Sequence, residues 1–183
     1  HCFGCGDGGD IFGFVMKMEG LEFPEALKLL AKKAGVELPK YDPAATSLKT
    51  KLSDILDAAA SFYSQELQKS SIAMAYIKKR ELSEQSVKTF RIGFSPQQWD
   101  GLLKFLVSKG FKPQDIALAG LLIQKTDGGF YDRFRGRIMF PIFNHLGVIV
   151  GFTARVLAEL DDGKIGKYVY TPETTVYKKS QIL

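Results

Sequence analysis

Cysteine and histidine are scarce in this chain, with two of each in 183 residues. Two cysteines cannot staple a disulfide-rich secreted domain, and their scarcity suits a reducing compartment. So few histidines and cysteines leave no credible nucleophilic triad. No apolar run approaches the roughly 20 residues that a membrane span requires. A charged segment followed by an apolar one, the mark of a signal peptide, is also missing. No membrane partner is therefore expected, and the expected location is cytoplasmic. Gly163-Lys164-Ile165-Gly166-Lys167 lacks the spacing of a phosphate-binding loop. Asp161 and Asp162 read as a solvated turn rather than a metal pair. No complete catalytic site is legible, and there is neither an internal repeat nor a low-complexity segment. The chain opens on His1 rather than Met, as expected of a piece of a longer protein.

What is present is a globular composition, 45% hydrophobic and 25% charged. That length and balance fit one or two domains with buried cores. Lysine and arginine outnumber aspartate and glutamate 25 to 20, a net charge of +5. The excess is local. Between Tyr76 and Arg91 five cations face Glu81 and Glu84, and between Tyr131 and Leu183 eight cations face five anions. A basic balance of this kind permits a nucleic-acid partner without requiring one.

The pattern along the chain predicts helices first and a small mixed sheet last, an α+β order. Residues 1–38 form one unit. Asp10 N-caps a helix through Met18, with Ile11, Phe14, Val15 and Met18 on one face. A second helix starts at Pro24, carries Leu27, Leu30, Ala31 and Ala34 as its stripe, and ends at Gly35. Residues 39–49 hold two prolines and read as a linker. The second unit, 50–183, opens with a helix of about five turns marked by Leu52, Ile55, Leu56, Ala59, Phe62, Tyr63 and Leu67. Shorter helices follow over Ser71–Lys79, Glu84–Phe90 (capped by Ser83), Trp99–Ser108 and Pro113–Ala119, with Leu102, Leu103, Leu106 and Val107 inward. Strands are predicted over Leu122–Gln124, Gly136–Phe143, Gly147–Val156 and Tyr168–Tyr170, two of them joined by an Asn144–Gly147 turn. Pro141 lacks an N–H and implies an edge or a bulge.

Cys2-x-x-Cys5 is half of a tetrahedral thiolate site, and zinc, a redox pair and ordinary cysteines all remain open at this point. Arg133, Arg135 and Arg137 recur at spacing two, so an extended segment projects them from one face with Phe134 turned inward. Three aligned guanidinia suit a polyanion backbone, because each can hold a phosphate bidentately. The competing reading is a solvated strand face with local ion pairs to groups such as Asp132. Lys167-Tyr168 and Lys178-Lys179 flank a Thr171–Thr174 turn. There a tyrosine can stack on a base beside a lysine, or both can be ordinary surface.

Several motifs resemble bacterial DnaG-type DNA primases. His1-Cys2-Phe3-Gly4-Cys5, continuing to Asp10-Ile11-Phe12, is similar to the second half of their zinc-ribbon motif. Phe23-Pro-Glu-Ala-Leu27 through Pro39 resembles the helix that closes it. Tyr76-Ile-Lys-Lys-Arg80, Phe90-Arg-Ile-Gly-Phe-Ser-Pro96, Trp99-Asp-Gly-Leu102, Tyr131-Asp-Arg-Phe-Arg-Gly-Arg137 through Ile142, Gly151-Phe-x-Ala-Arg155 and Lys167-Tyr168 through Thr174 resemble the start of the primase RNA-polymerase domain, in family order.

The resemblance implies a partial zinc-ribbon unit, a linker and a basic N-terminal polymerase subdomain. The intact enzyme makes short RNA primers on single-stranded template from nucleoside triphosphates. It uses Mg²⁺ bound by carboxylates of a Toprim subdomain expected beyond Leu183, and it works with a replicative helicase and single-strand-binding protein. Cys2 and Cys5 match the last two zinc ligands; the first pair would precede His1, so only a half site for Zn²⁺ is expected here. Arg80, Arg133, Arg135, Lys167, Tyr168 and Lys179 match template or primer positions, with Arg137 and Arg155 in the same motifs. Glu81 stands where glycine is usual, and Lys179-Ser180-Gln181 replaces the usual Lys-Gly-Arg. Two other readings stay open: a non-catalytic single-strand-binding module of a mobile-element primase-like protein, and a zinc-ribbon protein that contacts other proteins.

Overall fold

The structure, a computed structural model, describes residues 3–4, 6, 8–36, 48–161, 163 and 166–179. The chain divides into two units, His1–Ala45 and Thr46–Leu183. Residues 39–47 of the expected linker lie outside the described residues, while Leu48 and Lys49 are already helical.

In the first unit α1 (Ile11–Glu19) and α2 (Phe23–Ala34) form a helical pair. The Asp10 carboxylate accepts the Gly13 N–H at 2.8 Å, which satisfies one orphan donor of the first turn. Gly20 and Gly35 end the helices in the left-handed conformation. Phe12 and Phe23 pack with ring centroids 5.6 Å apart. Ala26 and Ala31 are buried, whereas Ile11, Phe14 and Met18 remain exposed.

The second unit is organised around α3 (Leu48–Lys69). Its apolar residues recur at helical spacing, and Leu52, Ile55, Leu56, Ala59 and Tyr63 are almost wholly buried. They meet α6 (Gly101–Ser108), α7 (Pro113–Leu118) and the sheet residues Met139, Phe152 and Ala154 in the main core. Strand β1 (Gly93–Ser95) lies directly on α3. A Cβ on Gly93 would stand 2.5 Å from the Tyr63 Cβ and 2.6 Å from its carbonyl carbon, so only glycine permits this approach. Two short helices, α4 (Ser71–Lys79) and α5 (Glu84–Thr89), start at Ser70 and Ser83, whose hydroxyls accept N–H groups of the first turn. Ala73 and Ile77 of α4 join Ile92, Phe94, Ile138 and Leu157 in a second, smaller core.

The sheet has the order β1-β4-β5-β6, with β4 spanning Arg137–Phe143, β5 Ile149–Val156 and β6 Tyr168–Tyr170. A separate hairpin pairs β2 (Leu122–Gln124) with β3 (Phe130–Asp132). Every pairing among the described residues is antiparallel, so the expected mixed sheet is corrected. For β2–β3 and β4–β5 the tight connections require this, because a parallel pair would need a long crossover; β1 reaches β4 across α6, α7 and the hairpin. The Asn144–Gly147 turn joins β4 to β5, and the Asn144 side chain accepts the N–H groups of Leu146 and Val148 at 3.0 Å. Pro141 lies beyond the reach of β1, which stops at Met139, and the register with β5 shifts one residue later. Strands β1 and β3 are missing from the sequence reading, although the equally short β2 and β6 are in it. The helix expected from Trp99 begins at Gly101, and Val107, expected inward, is 45% exposed.

Candidate nucleic-acid interface

One end of the sheet gathers several of the basic residues singled out in the sequence. There β4 begins, β5 ends at Val156 and β6 begins at Tyr168, with Arg155 and Tyr168 facing each other in register. The Arg155 guanidinium donates to the Tyr168 hydroxyl at 3.2 Å and lies 5.6 Å from that ring. It also lies 5.4 Å from the Tyr76 ring of α4. Arg80, the C-cap of α4, stands 5.5 Å from the same ring. Arg80, Tyr76, Arg155 and Tyr168 thus alternate cation and aromatic. Each cation–π contact contributes on the order of 0.5–1 kcal/mol at such exposed sites, enough to hold the guanidinia apart in fixed directions. Beside the ladder a cleft of about 440 Å³ is lined by Tyr76, Lys79, Arg80, Arg155 and Lys167, with Glu159 and Asp161 as its carboxylates. Four cations against two anions keep the cleft basic.

The α4 terminus is fixed locally. The Glu81 N–H bonds the Lys78 carbonyl at 2.9 Å and the Leu82 N–H bonds the Ile77 carbonyl at 3.2 Å, a Schellman ending that places Arg80 at the corner. Glu81 occupies the left-handed position, with φ of 55°. That region of the backbone favours glycine over any residue with a side chain.

The three arginines are not one exposed row, and that expectation is corrected. Residues 133–136 are not a strand; the chain turns between β3 and β4, with Gly136 at φ of 63°. Phe134 does point inward, 1% exposed. Arg133 and Arg135 are half-buried rather than largely exposed. The Arg133 Nε donates to the Gly120 carbonyl at 2.9 Å, and burial pushes its pKa down from the ordinary arginine value. The Arg135 guanidinium donates to the Asp132 carbonyl and stacks 4.1 Å from the Trp99 ring and 5.2 Å from the Tyr131 ring. Arg137 is 4% exposed, and its guanidinium donates to the Gly166 and Lys167 carbonyls at 3.0 and 3.3 Å. It fastens the segment bearing Lys167 to the sheet, so its position is internal.

The Thr171–Thr174 turn carries the remaining lysines. The buried Thr171 hydroxyl accepts the Phe152 N–H at 2.8 Å, and Thr174 Oγ1 accepts the N–H groups of Val176 and Tyr177. Lys179, at the end of this turn, lies 4.9 Å from the Tyr170 ring. Tyr168 and Tyr170 share one face of β6, and both are exposed.

Tyr76, Trp99, Tyr131 and Asp132 are absent from the predicted site. Tyr76 and Arg80 are four apart on a helix, a spacing that brings side chains together and is readable in advance. Asp132 is different. Its buried carboxylate accepts the Leu102 and Leu103 N–H groups at 2.8 and 3.0 Å and caps α6 from another element. Asp100, the local cap position, makes no such bond. Burial pushes the Asp132 pKa up from 3.8 to about 6, against the lowering effect of those two N–H bonds.

Cys2 and Cys5 lie outside the described residues. Two thiolates supply half of a tetrahedral zinc shell. Among the described residues no three His, Cys, Asp or Glu side chains converge to complete it.

The family described as the DNA primase catalytic core, N-terminal domain, matches residues 62–183, and the CHC2 zinc finger matches residues 1–46. The DNA primase of Deinococcus radiodurans is 43% identical over 185 residues, covering all of this chain and 31% of that protein. The crystal structure of the Aquifex aeolicus primase, zinc-binding and RNA polymerase domains, superposes with a TM-score of 0.67 at 32% identity, over 97% of this chain and 42% of that one. A DnaG primase catalytic domain bound to single-stranded DNA gives a TM-score of 0.64 at 38% identity, over 72% of this chain and 42% of that one. The chain spans about three-tenths of the curated relative's length. With its α+β core, its short antiparallel sheet and both family matches in order, the chain belongs to the bacterial DnaG-type DNA primases.

Proposed function

We propose that these 183 residues are the template-binding part of a DNA primase, which makes short RNA primers on single-stranded DNA for replication. The observation that carries the reading is the Arg80–Tyr76–Arg155–Tyr168 ladder beside the basic cleft. A single strand has repeating phosphates and unstacked bases. Cations alternating with aromatic rings answer both, the cations by charge and the rings by stacking. Arg80, Arg155, Lys167 and Lys179 serve the phosphates, and Tyr168 offers its ring to a base. Arg133 and Arg135 contribute from their half-buried positions, and Arg137 acts by holding Lys167. The solved relative bound to single-stranded DNA supports this assignment.

In the whole protein, chain growth joins a 3′-hydroxyl to a nucleoside triphosphate and releases pyrophosphate. We assign that chemistry, and the Mg²⁺ it uses, to Toprim carboxylates outside these residues. Helicase and single-strand-binding protein are the expected partners of the intact enzyme at the replication fork, and cytoplasm its expected place. Cys2 and Cys5 would hold one edge of a structural Zn²⁺, completed by ligands outside the described residues. No described helix is long and apolar enough to cross a membrane.

The test is binding of a dye-labelled single strand, followed by anisotropy, to the parent and to a Lys167→Ala, Lys179→Ala variant. Both lysines are exposed, so the fold should survive the change. Weaker binding at low salt, equal for all DNA sequences, is expected of lost phosphate contacts. Unchanged affinity would remove these lysines from the interface.

A further inference from the structure

Trp99 is the sole tryptophan of the chain, and it stands 61% exposed at the end of the sheet that bears the basic cleft. It lies four residues beyond β1, while Arg135 lies two residues before β4. Its main chain is pinned, because its carbonyl accepts the Asp132 N–H at 2.8 Å. Its ring is backed by the Arg135 guanidinium at 4.1 Å and by the Tyr131 ring, whose centroid is 5.4 Å away. Asp132, two residues from both Phe130 and Phe134, is itself locked onto the first turn of α6. A large indole is thus held rigid by a cation, an aromatic ring and a capped helix, yet most of its surface faces solvent.

We infer that Trp99, backed by Arg135 and Tyr131, is a stacking platform for a nucleobase of single-stranded nucleic acid. The chemistry fits a base better than an aliphatic side chain: the indole supplies a flat π surface, and the adjacent guanidinium favours a chain of phosphates. The position fits too. The Arg133–Arg137 segment that backs the indole also reaches the cleft, since Arg137 bonds the Lys167 carbonyl. Arg135 and Arg137 are at most about 7 Å apart along the chain. A strand that follows the cleft can therefore arrive at Trp99. The inference rests on the template-binding reading and adds a base contact to it.

The test uses the intrinsic emission of Trp99 in the 183-residue chain, titrated with a short oligothymidine while a labelled copy reports binding by anisotropy. Emission should be quenched with the same midpoint as the anisotropy change. An abasic oligonucleotide of equal length should raise anisotropy with far less quenching. Trp99→Ala should weaken binding roughly 5- to 150-fold, the range of one lost base stack, with the salt dependence unchanged. Trp99→Phe should recover much of the loss, and circular dichroism should show the alanine variant folded like the parent. Anisotropy that reports binding while emission stays constant would overturn the platform and leave template binding standing. Anisotropy that reports no binding at all would overturn the template-binding reading itself.

Discussion

Glu81 and Asp132 are two residues at which local geometry and charge work against each other. Glu81 closes α4 with φ of 55°. A side chain in that region costs about 1–2 kcal/mol, against which glycine loses some 0.4–1 kcal/mol of unfolded-state entropy. Glu81→Gly is therefore expected to stabilise the fold by about 0.5–1 kcal/mol in denaturant unfolding. It should also tighten single-strand binding, because a carboxylate leaves the corner beside Arg80; looser binding would contradict the placement of Arg80. At Asp132 the folded protein holds its proton more tightly than the unfolded chain, with a pKa of about 6 against 3.8. Stability is therefore fully present below the unfolded value and declines as pH rises through about 6, by at most about 1.4 kcal/mol per unit. Asp132→Ala should abolish that slope. It should also leave two N–H groups of α6 without their acceptor, at a cost that is largest at low pH and shrinks as the parent's own stability declines towards pH 6. A parent with flat stability between pH 4 and 7 would count against the buried charge.

Among the elements, α3 is the one on which the second unit is built, and it was also the most legible. Its period of apolar residues is long enough to define a face, and the serine and aspartate caps of α1, α4 and α5 sit next to the helices they start. Strands β1 and β3 were not legible: Gly93 and the following Pro96 make β1 read as a turn, and both strands are placed by their partners. The arginine triplet misled for a related reason. Spacing two implies one face only if the segment is extended, and here Gly136 turns the chain. The capping of α6 by Asp132 was hidden because the two are about 30 residues apart. Close packing of β1 on α3 yields a direct test. Gly93→Ala drives a methyl group into Tyr63 backbone and Cβ atoms that cannot rotate away, and should destabilise the fold by about 3 kcal/mol or more. Tyr63→Phe should be tolerated or stabilising by about 1 kcal/mol, because the buried Tyr63 hydroxyl has no partner among the described residues. If Gly93→Ala melted with the parent, the strand would not lie where the structure puts it.

At the scale of the molecule, the second unit's core presents one basic, aromatic-laced end of a sheet. The family resemblance implies a set of template-binding residues, and the structure shows which of them come together. Arg80, Arg155, Lys167 and Tyr168 come together, Lys179 sits with Tyr170, and Arg137 is internal. That sorting makes the roles separable by salt. Phosphate contacts release counterions, whereas stacking does not. The most direct measurement is the affinity for a labelled single strand against salt concentration, for the parent, for an Arg80→Ala, Lys167→Ala, Lys179→Ala triple variant and for Tyr168→Ala. Each lost phosphate contact should lower the slope of log affinity against log salt by about 0.7, so the triple variant should lose about 2. Tyr168→Ala should weaken binding by about 1–3 kcal/mol at every salt concentration and keep the parent slope. A triple variant that kept the parent's slope and affinity would contradict the account, because the basic end of the sheet would then be ordinary solvated surface.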